Sequence, residues 1–385
     1  MTIAHGPLFT KPSRGVIRLW TAFAILNLGI GLLIALQPER VSDIAHVAGG
    51  AGDWLLRGEN IYAKPSLVVV YPPNAVVLLS PLGAVPFGVA AACWVMANIA
   101  FAFLSAYFAA RFFQPHAPLR SILLPILMFT SWWGTHVLVQ FSLFALMLSM
   151  AAMMVAERSP LTSGVYLGLA LFKPQISLPV LFWMLFTRRW RSVLVAAVTV
   201  AAGFAAYCAR TGAAPAAVAE QWVANLRISF AGDAIMTGAS DLRPFIHLFV
   251  SNVTTLDMAA GGLSLALLAG ICAAGFQEGR WRTRTLYTAP SLVACWSLLT
   301  FYHLSYGFVI LLPALMLLVF NDTPQTSLRR GLLWTLQIGM MLNVPGLLRH
   351  SGLADEAFAA ALIHHFDRFF TMGICTGLVT LAWRE

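Results

Sequence analysis

Apolar runs recur along the chain from residue 17 to residue 384, separated by short pieces that carry most of its arginines. An apolar run of about 20 residues suffices to cross a bilayer as a helix. A series of them specifies a polytopic α-helical membrane protein. Composition agrees: 59% of the 385 residues are hydrophobic and only 10% are charged, with a mean hydropathy of +0.79. A soluble domain carries about 25% charged residues. The expectation is one membrane domain over 1–385, all-α, of about twelve crossings. The runs fall near 17–36, 86–111, 121–135, 137–156, 160–172, 175–187, 192–209, 257–276, 286–301, 305–320, 331–348 and 368–384. A further piece, 74–83, is expected to dip into the membrane or lie on its surface. The pair 160–172 and 175–187 is too short for two ordinary crossings. A short hairpin and one helix broken at Pro174 both fit it.

Charge sets the orientation. With the N-terminus inside and alternation thereafter, the inner pieces hold 15 of the 24 Lys and Arg residues. That is the sign of the positive-inside rule. Eleven of the fifteen carboxylates fall on the other face, in places such as the first outer loop (37–73) and the long outer loop (210–256). Carboxylate chemistry is therefore expected outside. The net charge of +9 comes in clusters such as "RRWR" (188–191) and "RWRTR" (280–284), not as a basic stripe, so nucleic acid is not an expected partner. The five cysteines lie in apolar runs with no C-x-x-C spacing, which argues against a disulfide framework or a zinc site. No A-x-A cleavage site follows the first run, so an uncleaved first helix is expected.

Polar residues inside the apolar runs are the candidates for chemistry. "GLALFKPQISLPVLFWMLF" (168–186) holds Lys173, one of only three lysines. A lysine at the centre of a span costs about 2.5–3.5 kcal/mol on insertion scales. Placed where Pro174 interrupts the helix, its ammonium can meet a phosphate as a mobile point charge. Snorkelling to the surface is the bland alternative. Gln175 follows it, and Gln140 in "HVLVQFSLFAL" is a lone amide near a span end. Asp43, just after the first run, is either a solvated loop carboxylate or a general base at the membrane boundary. "YPP" (71–73) marks a helix start, and Tyr71 is a candidate lining residue. Tyr302, His303 and Tyr306 interrupt an apolar run in "LLTFYHLSYGF". Arg227 and Arg243, in the long outer loop, are candidate phosphate clamps. No nucleotide-binding glycine motif, D-x-D, H-E-x-x-H or G-x-S-x-G occurs. Neither a metal nor another cofactor is required by these residues.

In order, the motifs are an acid after the first run, "RGENIY" with Tyr62, "YPP…SPL…VP", a Gln-bearing run, "GLALFKPQ" and an aromatic/His turn before "ILLPAL". This set resembles glycosyltransferase family 87 over roughly 17–320. The resemblance implies a GT-C-type integral-membrane fold with an extracytoplasmic active-site cavity in a bacterial-type inner membrane. It also implies transfer of a hexose, mannose by analogy, from a polyprenyl-phosphate sugar to a lipid or glycan hydroxyl. Asp43, Tyr71, Pro72, Pro73, Lys173, Pro174 and Gln175 match its motifs, and His303 falls at its late histidine. Gly307 stands where an aspartate is usual, and "IAHVAGG" replaces a tyrosine-rich stretch.

The roles that follow are Asp43 as the base and Lys173 as the stabiliser of the leaving phosphate. Gln175, His303, Arg227 or Arg243 would assist, and Tyr62, Tyr71, Gln140, Tyr302 and Tyr306 would line the substrate. A single displacement inverts the anomeric configuration. The alternative is a transporter of lipid-linked sugar or solute without chemistry.

Overall fold

The computed structural model describes residues 13–35, 42–64, 69–132, 140–230, 241–247, 249–250, 252–276, 285–301, 305–320, 327–342 and 357–384. Its regular elements there are helices, with no strand among the described residues. In chain order they are α1 (Arg14–Ala35), α2 (Ser42–Gly52), α3 (Pro73–Leu79), α4 (Phe87–Phe113), α5 (Leu119–Thr130) and α6 (Ser142–Val155). Then come α7 (Pro160–Ala170), α8 (Pro174–Phe186), α9 (Trp190–Thr211), α10 (Pro215–Phe230), α11 (Arg243–His247) and α12 (Val253–Phe276). The last are α13 (Thr285–Thr300), α14 (Leu312–Phe320), α15 (Ser327–Leu342) and α16 (Ala357–Arg384). Proline opens α3, α7, α8 and α10. Its fixed φ suits the first turn, where its missing N–H would have had no helical acceptor.

Four helices among the described residues are long and apolar enough to cross a membrane: Arg14–Leu33, Phe87–Phe113, Trp190–Thr211 and Thr254–Ala273. Seven shorter apolar helices accompany them. The long helices carry exposed apolar side chains, such as Ile25 and Leu33 on α1, Leu194 and Val198 on α9, and Met258 and Leu265 on α12. Contiguous faces of this kind are costly in water and suited to lipid. The protein is an all-α membrane protein.

Both stretches expected as outer loops carry helix. The first holds α2, a π-helical turn (Asp53–Arg57) and a 3-10 turn (Ile61–Ala63); the second holds α10 and α11. The physical reason is local packing. Ile44, Val47 and Ala51 bury one face of α2, and α2 packs on α3 and on the 3-10 turn Ser80–Ala84. There the approach is close enough that a Cβ on Gly52 would lie 2.8 Å from the Gly83 carbonyl oxygen. The piece at 74–83 is likewise a packed element: Asn74, Ala75 and Val76 are buried, and α3 lies against α9 at Gly203.

The chain forms two compact units. One comprises 1–27, 106–134 and 236–385, and is built around α13, which packs on α12, α14 and α16. Every side chain of α14 is buried, as an all-round apolar sequence requires. The carbonyls of Leu317 and Leu318, in its last turn, accept hydrogen bonds from the buried Arg329 guanidinium at 3.3 and 3.0 Å.

The other unit comprises 28–105 and 135–235. Its centre is the run α6–α7–α8–α9. Ser163 Oγ donates to the Ala152 carbonyl (2.8 Å), and Ser192 Oγ donates to the Pro160 carbonyl (3.0 Å). Gly164 sits against Ser192 and Val195, and Gly168 against Ala196 and Thr199. These contacts make α7 antiparallel to α6 and parallel to the first half of α9. An ion pair between Arg189 and Glu157 joins the end of α8 to the start of α7. The pair is therefore the hairpin of the two alternatives, and it turns at 171–173. With eleven residues, α7 rises about 16 Å. The hairpin tip thus lies about halfway along α9, whose 22 residues span about 33 Å.

A buried lysine at the meeting of half-length helices

Lys173 occupies the tip of this hairpin. It caps α8 from outside the helix (φ −125°, ψ 78°), and Pro174 is the first helical residue. The Lys173 carbonyl accepts from the Ile176 N–H at 3.0 Å and from Ser177 Oγ at 3.2 Å. The side chain is 1% exposed. Its Nζ lies 3.4 Å from Gln140 Oε1 and 5.7 Å from the centre of the Tyr71 ring. Three motifs far apart in the chain, "YPP", the lone glutamine and "KPQ", thus converge on one layer.

Each partner is itself held. The Gln140 carbonyl accepts from Trp94 Nε1 (3.3 Å) and Asn98 Nδ2 (3.0 Å), both on α4. The Tyr71 ring packs edge-on to Phe141 at 5.5 Å, and Phe141 packs on Trp94 and Phe172. The Tyr62 hydroxyl donates to the Tyr71 carbonyl at 2.6 Å. Burial, reinforced by the nearby Tyr207, pushes the Tyr62 phenol well above its usual range. It therefore stays protonated and a donor at neutral pH.

Behind Tyr62, residues 54–61 and Val70 are laced to α9 and α10. The Trp54 indole stacks on Tyr207 and its Nε1 donates to the Tyr207 carbonyl at 3.3 Å. The Tyr207 hydroxyl bonds Asn60 Oδ1 and accepts from the Ile61 N–H, both at 3.0 Å. Asn60 Nδ2 reaches Gln221 Oε1 at 2.9 Å, and Trp222 Nε1 donates to the Val70 carbonyl at 3.0 Å.

Electrostatically the layer is suited to an anion. Lys173 brings a cation into it. α6 and α8 both start there, and the dipoles of both helices and the first-turn N–H groups of α6 add partial positive charge. Broken or half-length helices whose N-termini meet at depth are a recurrent way to hold an anionic group in membrane proteins.

The remaining candidates are placed as follows. Gln175 lies in the first turn of α8, half-buried beside Lys173. Asp43 is the second residue of α2, in the same unit as Lys173, and its side chain lies outside the described residues. Arg227 is exposed near the end of α10. Arg243 belongs to the other unit, where its backbone N–H and guanidinium bond the buried Asp241 carboxylate at 2.9–3.3 Å. Tyr302 and His303 lie outside the described residues. Tyr306 falls in the 3-10 turn Ser305–Leu311, with its side chain outside the description. Among the described residues no three His, Cys, Asp or Glu side chains gather as a metal site would need.

Sequence reasoning missed Trp94 and Asn98, which fix Gln140. Their four-residue spacing in an otherwise apolar run was the available signal. It also missed the buried Arg329 and Arg368, the latter donating to the Asp241 carbonyl at 2.8 Å. Compared with known families, residues 70–301 match the sequence model of glycosyltransferase family 87. The matched span is more than half of the chain and contains Tyr71, Gln140, Lys173 and Gln175, while Asp43 and His303 lie beyond it. No match is found among curated proteins or among solved structures.

Proposed function

The chain belongs to glycosyltransferase family 87 and is a membrane glycosyltransferase, and from that premise we propose its donor, site and chemistry. The donor is a polyprenyl-phosphate hexose, with mannose the sugar. The acceptor is a lipid or glycan hydroxyl. Transfer takes place on the extracytoplasmic face of the inner membrane, within a GT-C-type architecture.

The observation that carries this reading is Lys173, 1% exposed at the tip of a hairpin where α6 and α8 begin. Burying an ammonium is expensive. A lipid phosphate at the same level turns that burial to use, because the negative charge that grows on the leaving group is met by a preorganised cation and helix N-termini. Phosphate leaves as a weak base, so no second carboxylic acid is required, in contrast to the paired acids of glycosidases. One base suffices to take the acceptor proton, and Asp43 is that base. In-line displacement by the acceptor oxygen inverts the anomeric carbon. Gln140 and Tyr71 hold the ammonium, and Gln175 extends the polar lining.

The test is direct. Purified protein supplied with polyprenyl-phosphate mannose and an acceptor lipid forms an inverted glycoside. Asp43→Asn binds donor as before and loses transfer. A protein that moves the lipid-linked sugar across vesicles and forms no glycoside is a transporter, and the reading fails. Competition among polyprenyl-phosphate mannose, glucose and arabinose identifies the sugar.

A further inference from the structure

Ser142, the first residue of α6, is fully buried, and its Oγ has no hydrogen-bond partner. A buried hydroxyl left unmatched is destabilising. Its place in the fold is specific. α6 and α7 run antiparallel with Ser163 bonded to Ala152. α7 rises about 1.5 Å per residue to its end at Ala170, seven residues beyond Ser163, which is the level of Ala145 in the first turn of α6, and the turn 171–173 follows there. Lys173 closes that turn, and Ser142 opens the first turn of α6. The 3.4 Å contact between Lys173 Nζ and Gln140, two residues before Ser142, agrees with that register. The first intrahelical bond of α6 runs from the Ala145 N–H to the Phe141 carbonyl. The N–H groups of Ser142, Leu143 and Phe144 therefore have no acceptor within the helix.

We propose that Ser142 is a phosphate-binding residue: its hydroxyl and the first-turn N–H groups of α6 form a second arm of the donor site, opposite Lys173. Ser142 Oγ donates to a non-bridging phosphate oxygen while Lys173 balances the charge. The inference rests on the donor reading above and adds to it a residue and a geometry: the phosphate is gripped from two helix starts, not by the lysine alone. Ser149, two turns further along α6, is equally buried and its Oγ is also without a partner. It lies roughly 10 Å from the layer and serves as the matched control.

The experiment uses the full chain in lipid nanodiscs, titrated with polyprenyl phosphate and with the uncharged polyprenol, and followed by thermal unfolding. Removing an unmatched hydroxyl leaves the fold intact, so Ser142→Ala unfolds at the same or a higher temperature. A hydrogen bond to a charged group is lost, so its affinity for polyprenyl phosphate falls about tenfold or more, with polyprenol binding unchanged. Ser149→Ala binds both lipids as the unaltered protein does. Ser142→Ala binding polyprenyl phosphate at full affinity, or Ser149→Ala losing as much, overturns the inference. The donor reading is judged separately by turnover. If Ser142→Ala loses phosphate affinity but the unaltered protein transfers no sugar from a polyprenyl-phosphate donor, the two-armed site stands and the donor reading falls. If transfer occurs and Ser142→Ala keeps full affinity, the reverse holds.

Discussion

Replacing Lys173 by methionine separates a lysine kept for its ligand from one kept for the fold. The two side chains have similar length, so the volume filled at the hairpin tip is largely conserved. Among the contacts the substitution removes in the free protein are a long amide contact at 3.4 Å and a ring contact at 5.7 Å. A neutral-partner hydrogen bond contributes about 0.5–1.5 kcal/mol, and a cation over an aromatic face about 0.5–2 kcal/mol. Against these stands the desolvation of an ammonium that is 1% exposed. A thioether carries no such desolvation cost.

The expected result is therefore an unfolding temperature equal to or above that of the unaltered protein. Activity moves the other way. Losing a charge-assisted bond to phosphate costs about 1.5–3 kcal/mol, which is about ten- to a hundredfold in kcat/KM for the polyprenyl-phosphate donor. The assays are thermal unfolding of the detergent-purified protein and steady-state transfer at varied donor. Full activity refutes the phosphate role. A sharply lowered unfolding temperature with unchanged turnover per folded molecule assigns Lys173 to the fold instead.

Gly168→Val drives a branched side chain into α9, where even a Cβ would lie 2.5 Å from Thr199 Cβ and 2.8 Å from the Ala196 carbonyl oxygen. Overpacking of this kind costs about 1–3 kcal/mol, and because Gly168 is on the rising arm of the hairpin, donor KM rises as well. Gly49→Ala, inside α2 with nothing within 4 Å of the added Cβ, leaves donor KM unchanged and raises stability by up to about 1 kcal/mol. In the first outer segment Lys64 pairs with Asp53 (2.6 Å) and with Glu59, and these bonds raise its pKa above the ordinary 10.5. A raised folded-state value means the stabilisation is complete at neutral pH and disappears as pH climbs through that value. Lys64→Gln lowers stability at pH 7 by less than about 1 kcal/mol, and high salt narrows the difference, as denaturation at two ionic strengths will record.

Much of the molecule was legible in its residues because bilayer solvation is local and additive. Each apolar run reports its own transfer preference, so the membrane class follows without tertiary information. The odd lysine was visible for the same reason, as a cost that a span does not carry without cause. The proline at residue 73 marked a helix start through φ alone, and the one at 174 marked a break. Helix in the segments read as outer loops was not legible. α2 and the turns behind it are stabilised by burial against α3, α9 and α10, and no window of local hydropathy reports that.

Tertiary packing decided the rest. Whether residues 160–187 cross or return depended on Gly164 and Gly168 letting α7 seat against α9, and on Arg189 meeting Glu157. That return brings Lys173 to the level of Gln140 and Tyr71. The sequence determined which residues were costly to bury; only the fold determined that they are buried together, because their energies depend on neighbours contributed by other helices.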